Sequence, residues 1–386
     1  MNSNSLTSLL ARSRGRGRGS LRNSTRTASA ALSAVAVAVL GVTAAAPAMA
    51  NTEPSMNTVG NDTNIAVQGL NHSLHFYWAI NGVAGWNPEK IAGTGTTYSA
   101  PSMTADTNKV DIAVQGPGHS LDLYWATDGV PGWHLQRVAG AGTTYSAPSI
   151  TANSFGLVIA AEGPSHSLRF YWAANGSPRW HPEHVAGAGT TYSAPSITAT
   201  SNDVFIAATG PSHSLSFYWA ADGVPGWNPE QVAGAGTTYS APSMTAGSGI
   251  VVIAATGASQ SLQFYWQVLG GAAWNPEQVS GAGTTYSAPS MTITSGDLFI
   301  AAAGPGDALR FYWQVLGGAA WNPEQVAGAG TTYSAPSLTT NSAGPGVSAA
   351  AIVSAAGPGG SLDFYWQAFS TSTWNPEQVA PPGSVG

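Results

Sequence analysis

The chain repeats itself every 47 residues. A tripeptide ending in tryptophan recurs at Trp78, Trp125, Trp172, Trp219, Trp266, Trp313 and Trp366, with five intervals of 47 residues and a last one of 53. A second tryptophan follows each by eight residues, at Trp86, Trp133, Trp180, Trp227, Trp274, Trp321 and Trp374, which accounts for all 14 in the chain. Pro54, Pro101, Pro148, Pro195, Pro242, Pro289 and Pro336 keep the same step, and about six extra residues near 341–346 lengthen the last copy. A fixed period of this size marks an array in which each copy buries its faces on its neighbours.

The content of a copy says which array. No copy has the apolar period of a helix; each has four short runs between turn residues, as strands do. In one copy the runs are 194–199, 204–208, 214–219 and 227–233. Side chains alternate along a strand, so Leu215, Phe217 and Trp219 share a face. Asp222-Gly223 after the third run is a two-residue hairpin signal, with Asn81-Gly82, Asp128-Gly129 and Asn175-Gly176 in the same place. Four antiparallel strands per copy make one propeller blade. The expectation is an all-β, seven-bladed β-propeller over residues 51–386.

Residues 1–50 read differently. Arg12, Arg14, Arg16, Arg18, Arg22 and Arg26 precede an apolar stretch near 30–42, and Ala48-Met49-Ala50 offers a small-residue cleavage site. This is the layout of a secretory signal peptide, cleaved after Ala50; the apolar stretch is short for a membrane span. The expectation is a secreted protein. The leader holds 6 of the 12 basic residues and none of the 18 acids, so residues 51–386 carry a net charge of 6 − 18 = −12. That opposes nucleic acid, whose affinity rests on phosphate neutralisation, and an anionic membrane surface. There is no cysteine, so no disulfide braces the array.

No catalytic set stands out, and no cofactor is expected. His72, His119, His166 and His213 are equivalent positions of successive copies, turned from one another by about 51° in a seven-fold ring. They cannot converge on one metal, as tetrahedral zinc requires. Glu89, Glu183, Glu230, Glu277, Glu324 and Glu377 form one repeated Pro-Glu position, with Gln136 in the second copy. Their expected role is to solvate an outer strand and protect its edge.

Strand order places the second connection of a blade and its exit to the next blade on one rim. That rim carries Gly-Pro-x-His-Ser, as at 210–214, and Gly-Thr-Thr-Tyr-Ser, as at 236–240. These loops are nearly identical among copies, while those of the opposite rim drift. Tyr98, Tyr145, Tyr192, Tyr239, Tyr286 and Tyr333 can each lay a ring against the apolar face of a sugar, with the four histidines nearby as hydrogen-bonding partners. Each tyrosine can equally plug the gap between blades. The tryptophans ending the third strand, Trp78 and its equivalents, are expected in the core. Those opening the outer strand, Trp86, Trp133, Trp180, Trp227, Trp274 and Trp321, are either stacking platforms or packing. The first copy has no preceding tyrosine, so six clefts are expected to be complete.

The run from Ser240-Ala241-Pro242 through 251–257 and 261–266 to 274–281 resembles the repeat of the Photorhabdus-type bacterial seven-bladed lectins. The stretch 304–313, with Asp307-Ala308-Leu309 before its aromatic strand, looks closest. The resemblance extends over all seven copies and implies binding of fucose or a related sugar between blades. Two departures are the His-Ser that usually replaces Asp before Ala-Leu and the Pro-Glu of the outer strand. The expected function is a multivalent lectin for glycans or cell-wall polysaccharides, without catalysis. The other class compatible with the pattern is a secreted scaffold for a protein partner.

Overall fold

The computed structural model describes residues 52–386, apart from loop positions 82, 84, 107, 128–129, 131, 222–225, 272, 295, 342–349 and 370. The proposed leader, most of the final insertion, and Asn81-Gly82, Asp128-Gly129 and Asp222-Gly223 in whole or part lie outside the described residues. The rest folds as seven antiparallel sheets of four strands, each sheet taking its strands in chain order. The blades span 55–92, 102–139, 149–186, 196–233, 243–280, 290–327 and 337–380. The protein is a seven-bladed β-propeller.

Blade four shows why the repeat folds this way. Its strands are Ser196–Ala199, Asp203–Thr209, Leu215–Ala221 and Asn228–Ala233. The second strand runs Val, Phe, Ile, Ala, Ala without alternation and is buried from Val204 to Thr209, as a strand covered on both faces must be. The outer strand opens with Asn-Pro-Glu; proline donates no hydrogen bond and is tolerated at an edge. Every third strand slips register against its outer strand just after the first leucine, at Leu215/Ser216 here, a bulge shared by all seven blades.

Apolar burial lies between blades, not within them. Val158, Leu168 and Phe170 of blade three meet Ile197, Ile206 and Tyr218 of blade four, and seven such clusters complete the circuit. A ring of hydrogen bonds follows the innermost strands. Ser55 Oγ accepts from Met103 N–H, and the pattern repeats through Ser102, Ser149, Ser196, Ser243 and Ser290. Ser337 Oγ, accepting from Met56 N–H at 3.0 Å, closes it.

Asn175-Gly176 corrects the hairpin expectation. Ser177 N–H bonds Ala174 C=O at 2.9 Å and Gly176 has φ +71°, so this is a tight turn with glycine at its left-handed position. It opens a six-residue connection, 175–180, between Ser167–Ala174 and His181–Ala186, not a two-residue hairpin.

Candidate functional site

The rim with near-identical loops is held together by its backbone. In blade four, Ser212 and His213 both take left-handed φ, 56° and 61°, and Ser214 N–H bonds Pro211 C=O at 3.2 Å, a type I′ turn. Left-handed non-glycine residues cost roughly 1–3 kcal/mol each unless their surroundings hold them. What holds them is the connection to the next blade: His213 C=O accepts from Thr237 and Thr238 N–H, both at 2.9 Å, and Ser212 C=O from Gly236 N–H at 2.8 Å. Thr237 also meets the hydroxyl of Tyr265, the middle residue of the aromatic tripeptide of blade five. Burial raises the pKa of that tyrosine and of Tyr77, Tyr124, Tyr171, Tyr218 and Tyr365, the last reaching about 12. The identity of Gly-Thr-Thr-Tyr-Ser among copies therefore has a structural cause.

The predicted tyrosines and histidines do meet. Tyr98 stacks on His72, Tyr145 on His119, Tyr192 on His166 and Tyr239 on His213, with ring centres 4.3–4.5 Å apart. Tyr286 and Tyr333 stand where the turn carries Gln260 and Asp307. The tyrosine rings are not plugs: Tyr192 is 47% and Tyr239 51% exposed, and the gap between blades is filled by Tyr218 and its equivalents. A hollow of about 360 Å³ lies between Tyr192 on one side and His213 and Tyr239 on the other. At the junction of the last and first blades, Gly386 N–H bonds Gln68 C=O, the contact that a tyrosine N–H makes elsewhere.

The larger hollows are on the opposite rim. Between blades one and two a cleft of about 680 Å³ is lined by Trp78, Glu89 and Trp133. Between blades three and four one of about 480 Å³ is lined by Trp172, Glu183 and Trp227. A smaller one, about 180 Å³, lies by Trp219 and Glu230 between blades four and five. Register builds the motif. Glu89 pairs with Phe76, two residues before Trp78 on the same face, so carboxylate and indole stand side by side. Trp133, just before the outer strand of the next blade, reaches back and sets its ring edge-on to Phe76 at 5.1 Å.

Four of the six glutamates then accept two indole N–H groups each, from two blades. Glu89 takes Trp78 at 3.1 Å and Trp133 at 2.9 Å. Glu183 takes Trp172 and Trp227; Glu230 takes Trp219 and Trp274; Glu324 takes Trp313 and Trp374. Among the described residues, Glu277 and Glu377 each hold only their own blade's tryptophan. Trp86, Trp180 and Trp321 keep a buried indole N–H without a partner among the described residues; Trp180 faces blade two, where Gln136 replaces the glutamate.

These contacts revise the expected roles. The outer-strand tryptophans are partly buried cross-blade anchors. Of the third-strand tryptophans, expected in the core, Trp266 alone is fully buried, at 2% exposed, and the others keep part of their rings at the clefts. The glutamates, taken as edge protection, are the polar centre of each cleft. The signal for them was present: a carboxylate in six of seven copies, always 11 residues after one tryptophan, with no lysine or arginine at a matching spacing. Among the described residues, no group of three or more His, Asp or Glu is placed to hold a metal ion.

Solved structures share this architecture. The BP39L lectin from Burkholderia pseudomallei is 22% identical, with 86% of this chain and 99% of that one covered and a TM-score of 0.75. The lectin of Aleuria aurantia, a six-bladed propeller described with a novel fucose recognition mode, is 13% identical over 86% and 95% of the two chains, with a TM-score of 0.51. A prolyl endopeptidase is 13% identical, TM-score 0.55, with 86% of this chain matching only half of that one. At these identities the likeness establishes the fold alone, and propellers host lectins and enzymes alike. No protein-family model matches the chain, and no curated protein matches it either.

Proposed function

We propose that this chain is a secreted carbohydrate-binding protein, without catalytic activity, that holds a small sugar between adjacent blades. One observation carries the proposal: a cleft walled by two tryptophans with a carboxylate at its centre, open between blades one and two and between blades three and four. An indole offers its face to the C–H side of a pyranose. A carboxylate has about four acceptor positions; the indoles use two, leaving others for sugar hydroxyls. Hydrogen bonds to a charged acceptor are the strong ones. Fucose or a related monosaccharide on a glycan or cell-wall polysaccharide is the proposed ligand, in keeping with the propeller fold shared with the fucose-recognising lectin of Aleuria aurantia. Residues 1–50 serve as the export signal in this proposal.

The hollow between Tyr192 and His213 on the first rim supports a second placement of the sugar, on the tyrosines and histidines. A glycan array probed with wild type, Glu89→Gln/Glu183→Gln and Tyr192→Ala separates the two. Gln136 stands at this position in blade two, so the substitution is one the blade accepts. The expected result is binding of wild type to fucosylated glycans, weakened tenfold or more by the double glutamine variant, as loss of a hydrogen bond worth about 1.5–3 kcal/mol implies, and unchanged by Tyr192→Ala. The reverse pattern moves the site to the tyrosine rim. Binding to no glycan favours the protein scaffold.

A further inference from the structure

The clefts are not equally open, and one register position sorts them. At the residue after the third-strand tryptophan, blades one to four carry Ala79, Ala126, Ala173 and Ala220, and blades five to seven carry Gln267, Gln314 and Gln367. In blades two, four, five and seven this residue faces the glutamate of the preceding blade. Where Ala126 and Ala220 stand there, the clefts measure about 680 and 480 Å³. Where Gln267 stands there, about 180 Å³ remains.

The glutamine amide goes to the carboxylate. Gln267 Nε2 donates to Glu230 Oε2 at 3.2 Å and Gln367 Nε2 to Glu324 Oε2 at 2.9 Å, both from side chains about 95% buried or more. Glu230 and Glu324 thus accept three donors each, Glu89 and Glu183 two. The following residues add apolar bulk: Leu269 lines what remains of its cleft, and Phe369 stacks on Phe299 at 5.4 Å. Gln314 is also buried, 1% exposed, but its amide turns to Gly318 C=O, and Leu316 packs against the cluster that holds Trp266.

We infer that Gln267 and Gln367 are built-in occupants of the ligand's place. The amide N–H of each supplies the donor that a sugar hydroxyl supplies in the alanine clefts beside Glu89 and Glu183, so at these four clefts Ala or Gln decides whether sugar binds. The inference rests on the sugar lying beside the glutamates. It makes the ring unequal: the clefts facing Ala126 and Ala220 take ligand, and those facing Gln267 and Gln367 are already satisfied from within.

Titration calorimetry with L-fucose on wild type, Gln267→Ala and Ala220→Gln tests it. Gln267→Ala is expected to gain one site per chain and Ala220→Gln to lose one, with the dissociation constant of the remaining sites within twofold. Ala126→Gln is the second closing variant should Ala220→Gln unfold its blade, and thermal unfolding of each variant establishes which case holds. Wild-type binding with the same stoichiometry in all folded variants overturns the inference and leaves the sugar reading standing. Absence of fucose binding in wild type and Gln267→Ala alike overturns both.

Discussion

At the scale of single residues, the carboxylate of Glu324 shows what a cleft costs and gains. It accepts from Trp313, Trp374 and Gln367, three donors from two blades. Removing an acceptor leaves buried donors unsatisfied, at roughly 1–3 kcal/mol each. Glu324→Ala should therefore destabilise the protein by about 3 kcal/mol or more, and Glu377→Ala, which frees only Trp366, by about 1 kcal/mol. Urea unfolding of the two variants checks the ordering; equal losses would show that the shared clamp contributes nothing beyond a single bond. The clamp was only half legible in sequence. The period put every tryptophan at or beside a strand, but a glutamate partner lies 11 residues away within the blade and 44 across to the next, or 50 for Trp374, and no local pattern reports a contact made between blades.

Glu53 is a second residue whose environment matters. It stands just before Pro54, where later blades carry alanine, as at Ala100. Desolvation pushes its carboxyl from 4.5 up to about 7. A folded state that keeps a proton the unfolded chain has released is favoured at low pH. The stability linked to Glu53 is thus fully present below about pH 4.5, declines as pH rises, and is lost above about 7. The urea midpoint of wild type should fall across that window by an amount that Glu53→Gln removes. A variant with the same pH slope as wild type would contradict the assignment. Burial raises Asp111, Glu162, Asp297 and Asp363 in the same direction, so some slope remains in both.

At the scale of strands and turns, the two rims had opposite legibility. Near-identity of the Gly-Thr-Thr-Tyr-Ser loops pointed to the tyrosine rim as the site, yet most of that identity is explained by what the loop holds: two left-handed residues, three backbone bonds to their carbonyls and the hydroxyl of a buried tyrosine. Variation on the other rim looked like relaxed constraint. It is there that Ala gives way to Gln and the cleft changes from about 480 to 180 Å³. Uniform positions in this repeat build the frame, and variable ones tune the hollows within it. Four strands per copy followed directly from alternation and turn residues. The turn at Asn175-Gly176 did not, because the dipeptide predicts a tight turn but not that the outer strand begins only at His181.

At the scale of the whole molecule, the seven-fold count was set by arithmetic on proline and tryptophan, and the ring of serine bonds ending at Ser337 and Met56 is its physical closure. If the clefts bind sugar as proposed, a rigid ring that holds them at fixed spacing on one rim lets a glycan surface engage more than one, with an expected avidity gain of about 10²–10⁴ without new contacts. The central claim is that sugar sits between a tryptophan pair and the glutamate they share. A crystal of the protein soaked in L-fucose tests this most directly. Electron density for the sugar is predicted beside Glu89 between Trp78 and Trp133, and beside Glu183 between Trp172 and Trp227. Density confined to the hollow at Tyr192 and His213, or clefts that stay empty at saturating fucose, would contradict it.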